Sequence, residues 1–159
     1  MRIIINVYAL IPLIGAILMI AGLSASWVSG ASLPGWELVS NDDFSTYSFT
    51  LSIGVALIVP IAILTAVPAI LSLIFREYSG RARLAKLPII LTVFALIFIM
   101  DGGLAFLELH LDFGGAGYMM SMAGLILGAA GQILNIVMKP IEFEIRDDKR
   151  GRGPSGLSP

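Results

Sequence analysis

Cysteine is absent from the 159 residues, which removes disulfides, iron–sulfur clusters, thiol redox chemistry and zinc–thiolate sites together. No compartment can be inferred from cysteine usage. Histidine occurs once, as His110, so the chain cannot supply the paired axial ligands of a membrane b-type haem. Charge is also scarce, at 13% of residues, where soluble domains carry roughly a quarter. Lysine and arginine are missing altogether between Arg2 and Arg76 and again between Lys86 and Lys139. No glycine-rich phosphate loop precedes a helix on the charged side, because the glycines sit in apolar runs and turns. No motif sets His110 beside a serine as its base. These absences argue against catalysis, a resident cofactor and nucleic-acid binding.

What fills the chain instead is hydrocarbon: 57% of residues are hydrophobic and the mean hydropathy is +0.93. Four long apolar runs stand out, Ile3–Trp27, Phe49–Phe75, Leu87–Phe106 and Ala116–Met138. Each has about the 20 residues that a helix needs to cross a hydrocarbon core about 30 Å thick. Helices of a soluble bundle would carry a polar outer face, and these runs have none. The expected fold is an all-α integral membrane protein, a four-transmembrane-helix bundle over residues 1–140 with spans at about 3–27, 49–75, 87–106 and 116–138. LSAS at the end of the first run imitates a small-residue cleavage site. The run is nonetheless longer than a secretory signal's apolar stretch and reads as a span.

Topology follows from charge. With four spans, all ten Lys and Arg residues fall on one side, with five acids, for a sum of 10 − 5 = +5. The other side holds only Glu37, Asp42, Asp43, Asp101, Glu108 and Asp112, giving −6 and the overall −1. The positive-inside rule then puts both termini in the cytoplasm. The basic loop REYSGRARLAK would lie against anionic headgroups, at about 1 kcal/mol per cation. Residues 141–159 read as a cytoplasmic tail, largely disordered unless a partner holds it. Its first part, Ile141–Arg146, alternates apolar and polar residues, as an extended segment that pairs with a partner would.

The two outer loops carry strand-like patterns. Trp36–Ser40 and Phe44–Phe49 flank the turn-prone Asn41–Asp42–Asp43, which suits a hairpin. Leu107–Phe113 alternates with a period of two and supplies a third strand. Together they predict a small sheet capping the bundle on the outer side. The competing pattern continues the third helix to Asp112, because Asp101, Glu108 and Asp112 share a helical face. Trp27, Trp36, Tyr47 and Tyr118 suit the aromatic belt at the membrane boundary.

Four spans, an outer sheet and the tryptophans Trp27 and Trp36 resemble the claudin type of tetraspan in architecture. That type has a longer first loop, a cysteine pair in it and a different tryptophan spacing, all absent here. The resemblance implies an adhesion or barrier role, which stands as one alternative.

Three groups of residues are candidates for function. Gly117, Ser121, Gly124, Gly128 and Gly131 line the fourth run at small-xxx-small spacing, which lets helix backbones approach. Alanines 62, 66 and 69 and glycines 15 and 22 do the same in the second and first runs. Most of these suit packing within the monomer, and some are expected to meet another subunit. Asp101 is the second candidate. It lies about five residues, roughly 8 Å, inside the outer boundary, at the depth of Ser24, Ser52 and Ser121, whose hydroxyls would surround it. Ionisable groups in a membrane mark functional sites by default, and none of this chain's Lys or Arg can reach Asp101. The third is an acidic outer edge of Glu108, His110 and Asp112. A strand would put these on one face, as a sparse metal site or simply a solvated edge.

Pro12, Pro60 and Pro68 interrupt the first two spans, as in transporters with broken helices, yet no internal repeat is visible. The reading that fits best is a small non-catalytic subunit or scaffold of a larger membrane assembly, in contact with lipid and with other subunits, like or unlike itself. The alternative is a small transporter or channel subunit with Asp101 lining a polar path.

Overall fold

A computed structural model of the chain describes residues 2–5, 7–29, 32–40, 49–74, 81–108, 114–138 and 141–144. It is mostly helical, and four of its helices are long and apolar enough to cross a membrane. Helix α1 (Leu10–Ser24) follows a single 3-10 turn, Val7–Ala9; α3 covers Phe49–Ile74, α4 Arg81–Glu108 and α5 Ala116–Val137. A one-turn helix, α2 (Glu37–Ser40), lies between α1 and α3. Strands β1 (Arg2–Ile5) and β2 (Ile141–Glu144) pair antiparallel.

The four long helices form a ring. Helix α1 packs most extensively against α5, and α3 against α4; α1 also meets α3, and α4 meets α5. Helices α1 and α4 are therefore at opposite corners. Neighbours in the ring are antiparallel: Gly15 faces Gly124 and Gly128, Gly22 faces Gly117 and Ser121, and Gly54 faces Ala95 and Ile99. The start of α1, the end of α3, the start of α4 and the end of α5 thus share one end of the bundle with the ribbon of β1 and β2. The core runs from Met19 through Ile58, Ile61, Ile99 and Leu125 to Trp27 and Leu38 at the far end, all fully buried.

The first span starts later than its apolar run suggests. Ile3–Ile5 are β-branched, which favours an extended backbone, and they have a partner: the register sets Arg2 opposite Glu144, Ile3 opposite Phe143 and Ile5 opposite Ile141. The alternating segment after the fourth span thus meets this chain's own beginning. Pro12 does not interrupt the span. It is the third residue of α1, in the first turn, where its missing N–H would have no intrahelical acceptor.

The segment expected to be the first strand of the outer hairpin is helical instead. Residues 37–40 form a helical turn, with Glu37 N–H donating to Pro34 O (3.1 Å) and Ser40 N–H to Trp36 O (3.0 Å). An extended WELVS would put Trp36, Leu38 and Ser40 on one face. The turn instead buries Leu38 completely and leaves Trp36 and Val39 exposed. Leu107 and Glu108 complete the last turn of α4, so the helix takes the first two residues of the segment expected to be the third strand. Gly102 does not break that helix, because it packs directly on Leu51. Phe44–Ser48 and Leu109–Phe113 lie outside the described residues. Among the described residues, no strand occurs at that end.

Candidate functional site

The glycine face of α5 is covered within the chain. A Cβ added to Gly15 would sit 2.5 Å from Gly128 N and 2.9 Å from Gly124 O. One on Gly124 would lie 2.7 Å from both Gly15 O and Met19 N, and one on Gly131 2.6 Å from Pro12 Cδ. Gly22 stands in the same way against Ser121 N (2.6 Å) and Gly117 O (2.7 Å). The small-residue spacing thus brings α1 and α5 into backbone contact, as such spacings do in membranes. The whole candidate packing interface, Gly117, Ser121, Gly124, Gly128 and Gly131, is buried by this contact.

Below this seam, toward the chain ends, α5 presents the only two carboxamides of the four spans. Gln132 Nε2 donates to Thr65 O at 2.7 Å, and Asn135 Nδ2 donates to Ser72 Oγ at 3.3 Å. Ser72 Oγ in turn donates to Pro68 O at 2.7 Å, and Thr92 Oγ1 donates to Pro88 O at 2.7 Å. All five polar side chains are buried. Polar groups in an apolar interior are tolerated when bonded, and this cluster ties α3 to α5 across the ring. Among the described residues, two buried side-chain atoms have no partner, Gln132 Oε1 and Ser121 Oγ. Gln132, Thr65, Ser72 and Thr92 were not singled out by the sequence reading. The signal was present: Gln132 and Asn135 continue the Gly128 face at steps of four and three, and Thr65 and Ser72 are seven apart.

At the far end the chain after α1 folds back as a plug. Trp27 is fully buried, donates Nε1–H to Gly22 O at 2.9 Å, and meets Tyr118 edge-on at 5.7 Å. Its own backbone is held by Leu33 O and by Gly115 N–H. This corrects its assignment to the aromatic belt: the indole is in the core. Trp36, 51% exposed, suits the belt, and Tyr47 is outside the described residues. Ser52 Oγ donates to Leu38 O at 2.9 Å, fixing α2 on α3.

The hydroxyl layer proposed around Asp101 does not assemble. Ser52 is spent on Leu38, Ser121 is buried against Gly22, and Ser24 is exposed on α1 at the opposite corner of the ring. Asp101 itself is exposed. On α4 the buried positions are Ala85, Pro88, Thr92, Ala95, Ile99 and Gly102, and the positions Leu87, Ile90, Phe94, Ile97, Asp101 and Leu104 form the outward stripe. Asp101 therefore faces away from the other three helices and does not line an internal path. Glu108 is in the last helical turn, its side chain outside what is described, as are His110 and Asp112 entirely. No cluster of three metal-binding side chains occurs among the described residues.

The described residues also line depressions. A groove of about 570 Å³ between α1 and α3 is lined by Leu13, Ala16, Ile17, Ala62, Ala66 and Ile70 among others, where alanines leave room. A cleft of about 450 Å³ at the far end is lined by Ser26, Ser29, Ser32 and Gly115 among others. Comparison with protein-family models, with curated proteins and with solved structures finds no match.

Proposed function

We propose that this chain is a non-catalytic subunit or scaffold of a larger membrane protein assembly, with both termini in the cytoplasm and the Trp27 plug as its outer cap. The observation that supports this reading is the contrast between the inside and the outside of the bundle. Inside, side chains from all four spans fill the ring, and Ser72, Thr92, Gln132 and Asn135 make hydrogen bonds within it, with Gln132 Oε1 and Ser121 Oγ unpartnered. Outside, one acid, Asp101, interrupts an otherwise apolar stripe. A carrier or channel would turn its polar residues toward a cavity, whereas here the charge is on the surface that neighbours meet. The termini are assigned by the ten-to-zero division of Lys and Arg.

Purification from native membranes in a mild detergent tests the proposal. A discrete heteromeric complex with another polypeptide in fixed ratio is expected. A chain that purifies alone and carries solute across liposomes would replace this reading with the transport alternative.

A further inference from the structure

We infer that the outward stripe of α4 is a docking seam for a transmembrane helix of another protein, and that this helix presents a Lys or Arg at the level of Asp101. The inference rests on the subunit reading and names the face and the chemistry that the partner must have. Two observations lead to it independently. First, α4 is the least enclosed span: 28% of it is buried, against 39% of each of the other three. Second, it bears the only acid within the four spans.

The stripe Leu87, Ile90, Phe94, Ile97, Asp101, Leu104 steps by three and four. That is the spacing of a seam between helices crossing at about 20°. Asp101 has an exposed leucine and an exposed isoleucine on either side of it along the stripe, Leu104 at 65% and Ile97 at 55%. Carbon thus flanks the carboxylate toward both ends of the helix. Serines 24, 52 and 121, the hydroxyls of comparable depth, are occupied or face elsewhere. A charge in this setting requires an opposite charge or water, and membrane acids pair across helix interfaces for this reason.

A second copy of the chain does not meet the requirement. Inserted in the same sense, it brings its own Asp101 to that level. Its nearest spanning cation, Lys86, is 15 residues away along the helix, about 22 Å at 1.5 Å per residue. The charge division of the sequence assigns all its other Lys and Arg to the side of Lys86. A Lys or Arg at that level must therefore come from a different polypeptide.

The test uses the full chain in its native membrane, with the photocrosslinker benzoylphenylalanine at Ile97 on the seam or, as a control, at Ile126 on the exposed face of α5. The expected result is a polypeptide adduct from Ile97. Its crosslinked peptide should be a transmembrane segment with a Lys or Arg within one turn of the Asp101 level. Asp101→Asn should reduce the adduct about tenfold or more, with the thermal unfolding of the chain unchanged. Asp101→Lys should abolish it, and exchanging the partner's cation for Asp should restore it. Adducts to lipid alone, an adduct between two copies, a peptide without a cation, or an adduct insensitive to Asp101→Asn would each overturn the inference. If Ile97 gives none but Ile126 does, or the chain still co-purifies in fixed ratio with another polypeptide, the seam is wrong and the subunit reading stands. If no polypeptide is captured or co-purified at all, both fall.

Discussion

Replacing Gly15 with alanine adds one methyl group at the closest approach in the bundle. That carbon would lie 2.5 Å from Gly128 N and 2.9 Å from Gly124 O. Ordinary contact begins near 3.4 Å, so α1 and α5 must separate locally by about 3.4 − 2.5 = 0.9 Å. Neither neighbour can rotate away, because both are backbone atoms. Overpacking of this kind costs about 1–3 kcal/mol. For a chain of this length each kcal/mol moves Tm by about 2–4 °C, so a fall of about 2–12 °C is expected in detergent. Gly124→Ala should behave alike, since it meets Gly15 O and Met19 N at 2.7 Å. Gly128→Ala should cost less, because the nearest atom is Met19 Cε at 2.7 Å, the free end of a flexible side chain. Gly103→Ala, with nothing within 4 Å, should leave Tm unchanged or raise it through helix propensity, by up to about 1 kcal/mol. The order Gly15 and Gly124, then Gly128, then Gly103 is the content of the prediction. Equal Tm values for all four variants would mean that α1 and α5 do not meet through these glycines.

Trp27→Ala empties a fully buried site and should cost about 3–5 kcal/mol; a Tm within 2 °C of wild type, measured by the same thermal scan, would place the indole outside the core. Gln132→Leu removes one hydrogen bond to Thr65 O, worth about 0.6 kcal/mol on average in a membrane, and also an unpartnered Oε1, whose burial costs about 1–3 kcal/mol. The Tm of that variant should stay level or rise, and a marked fall would mean that Oε1 is bonded, for instance by a buried water. Single cysteines from Ser40→Cys and Ser155→Cys should react with an impermeant maleimide from opposite sides of oriented vesicles, and labelling of both from one side would refute an even number of spans with this orientation.

Much of the fold was legible because a membrane reduces the problem to length and hydropathy. Runs of 20 or more apolar residues leave few alternatives to a helix, and four were visible. The failures occurred where the chain leaves the hydrocarbon. WELVS beside the turn-prone NDD reads as a strand, yet Pro34–Gly35 starts a turn that buries Leu38 and lets its carbonyl take the Ser52 hydroxyl. Those are long-range contacts that a five-residue pattern cannot encode. Trp27 was assigned to the boundary because it follows the first span in sequence. The assignment missed that the following residues return over the bundle and close the indole between Gly22 and Tyr118. Small-residue spacing announced a close contact on α5, but spacing is silent on the partner. The matching Gly15 and Gly22, seven apart on α1, were the clue that both sides of the seam are in one chain. Gly102 packs on Leu51 and Gly22 on Ser121, so Asp101 and Ser52 stand at nearby levels on adjacent helices, as do Ser24 and Ser121. Their angular positions around the ring could not be read without knowing that α1 and α4 occupy opposite corners.

The prolines show how the same sequence feature changes meaning once its partners are known. In a helix of a transporter, proline frees polar backbone where a substrate or ion can use it. Here each of the two buried prolines of α3 and α4 is followed four residues later by a hydroxyl that donates to the proline's own carbonyl: Ser72 to Pro68 and Thr92 to Pro88. Ser72 also accepts from Asn135, so the Pro68 turn of α3 is tied to α5. Pro60, which is exposed, has Leu64 at the corresponding position and no hydroxyl to place. In α3 and α4 a hydroxyl therefore follows the buried proline and carbon the exposed one, as satisfying hydroxyls inside an apolar bundle requires. The interior thus holds most of its polar atoms in hydrogen bonds, Gln132 Oε1 and Ser121 Oγ apart, while Asp101 is the acid that α4 presents on its outer face.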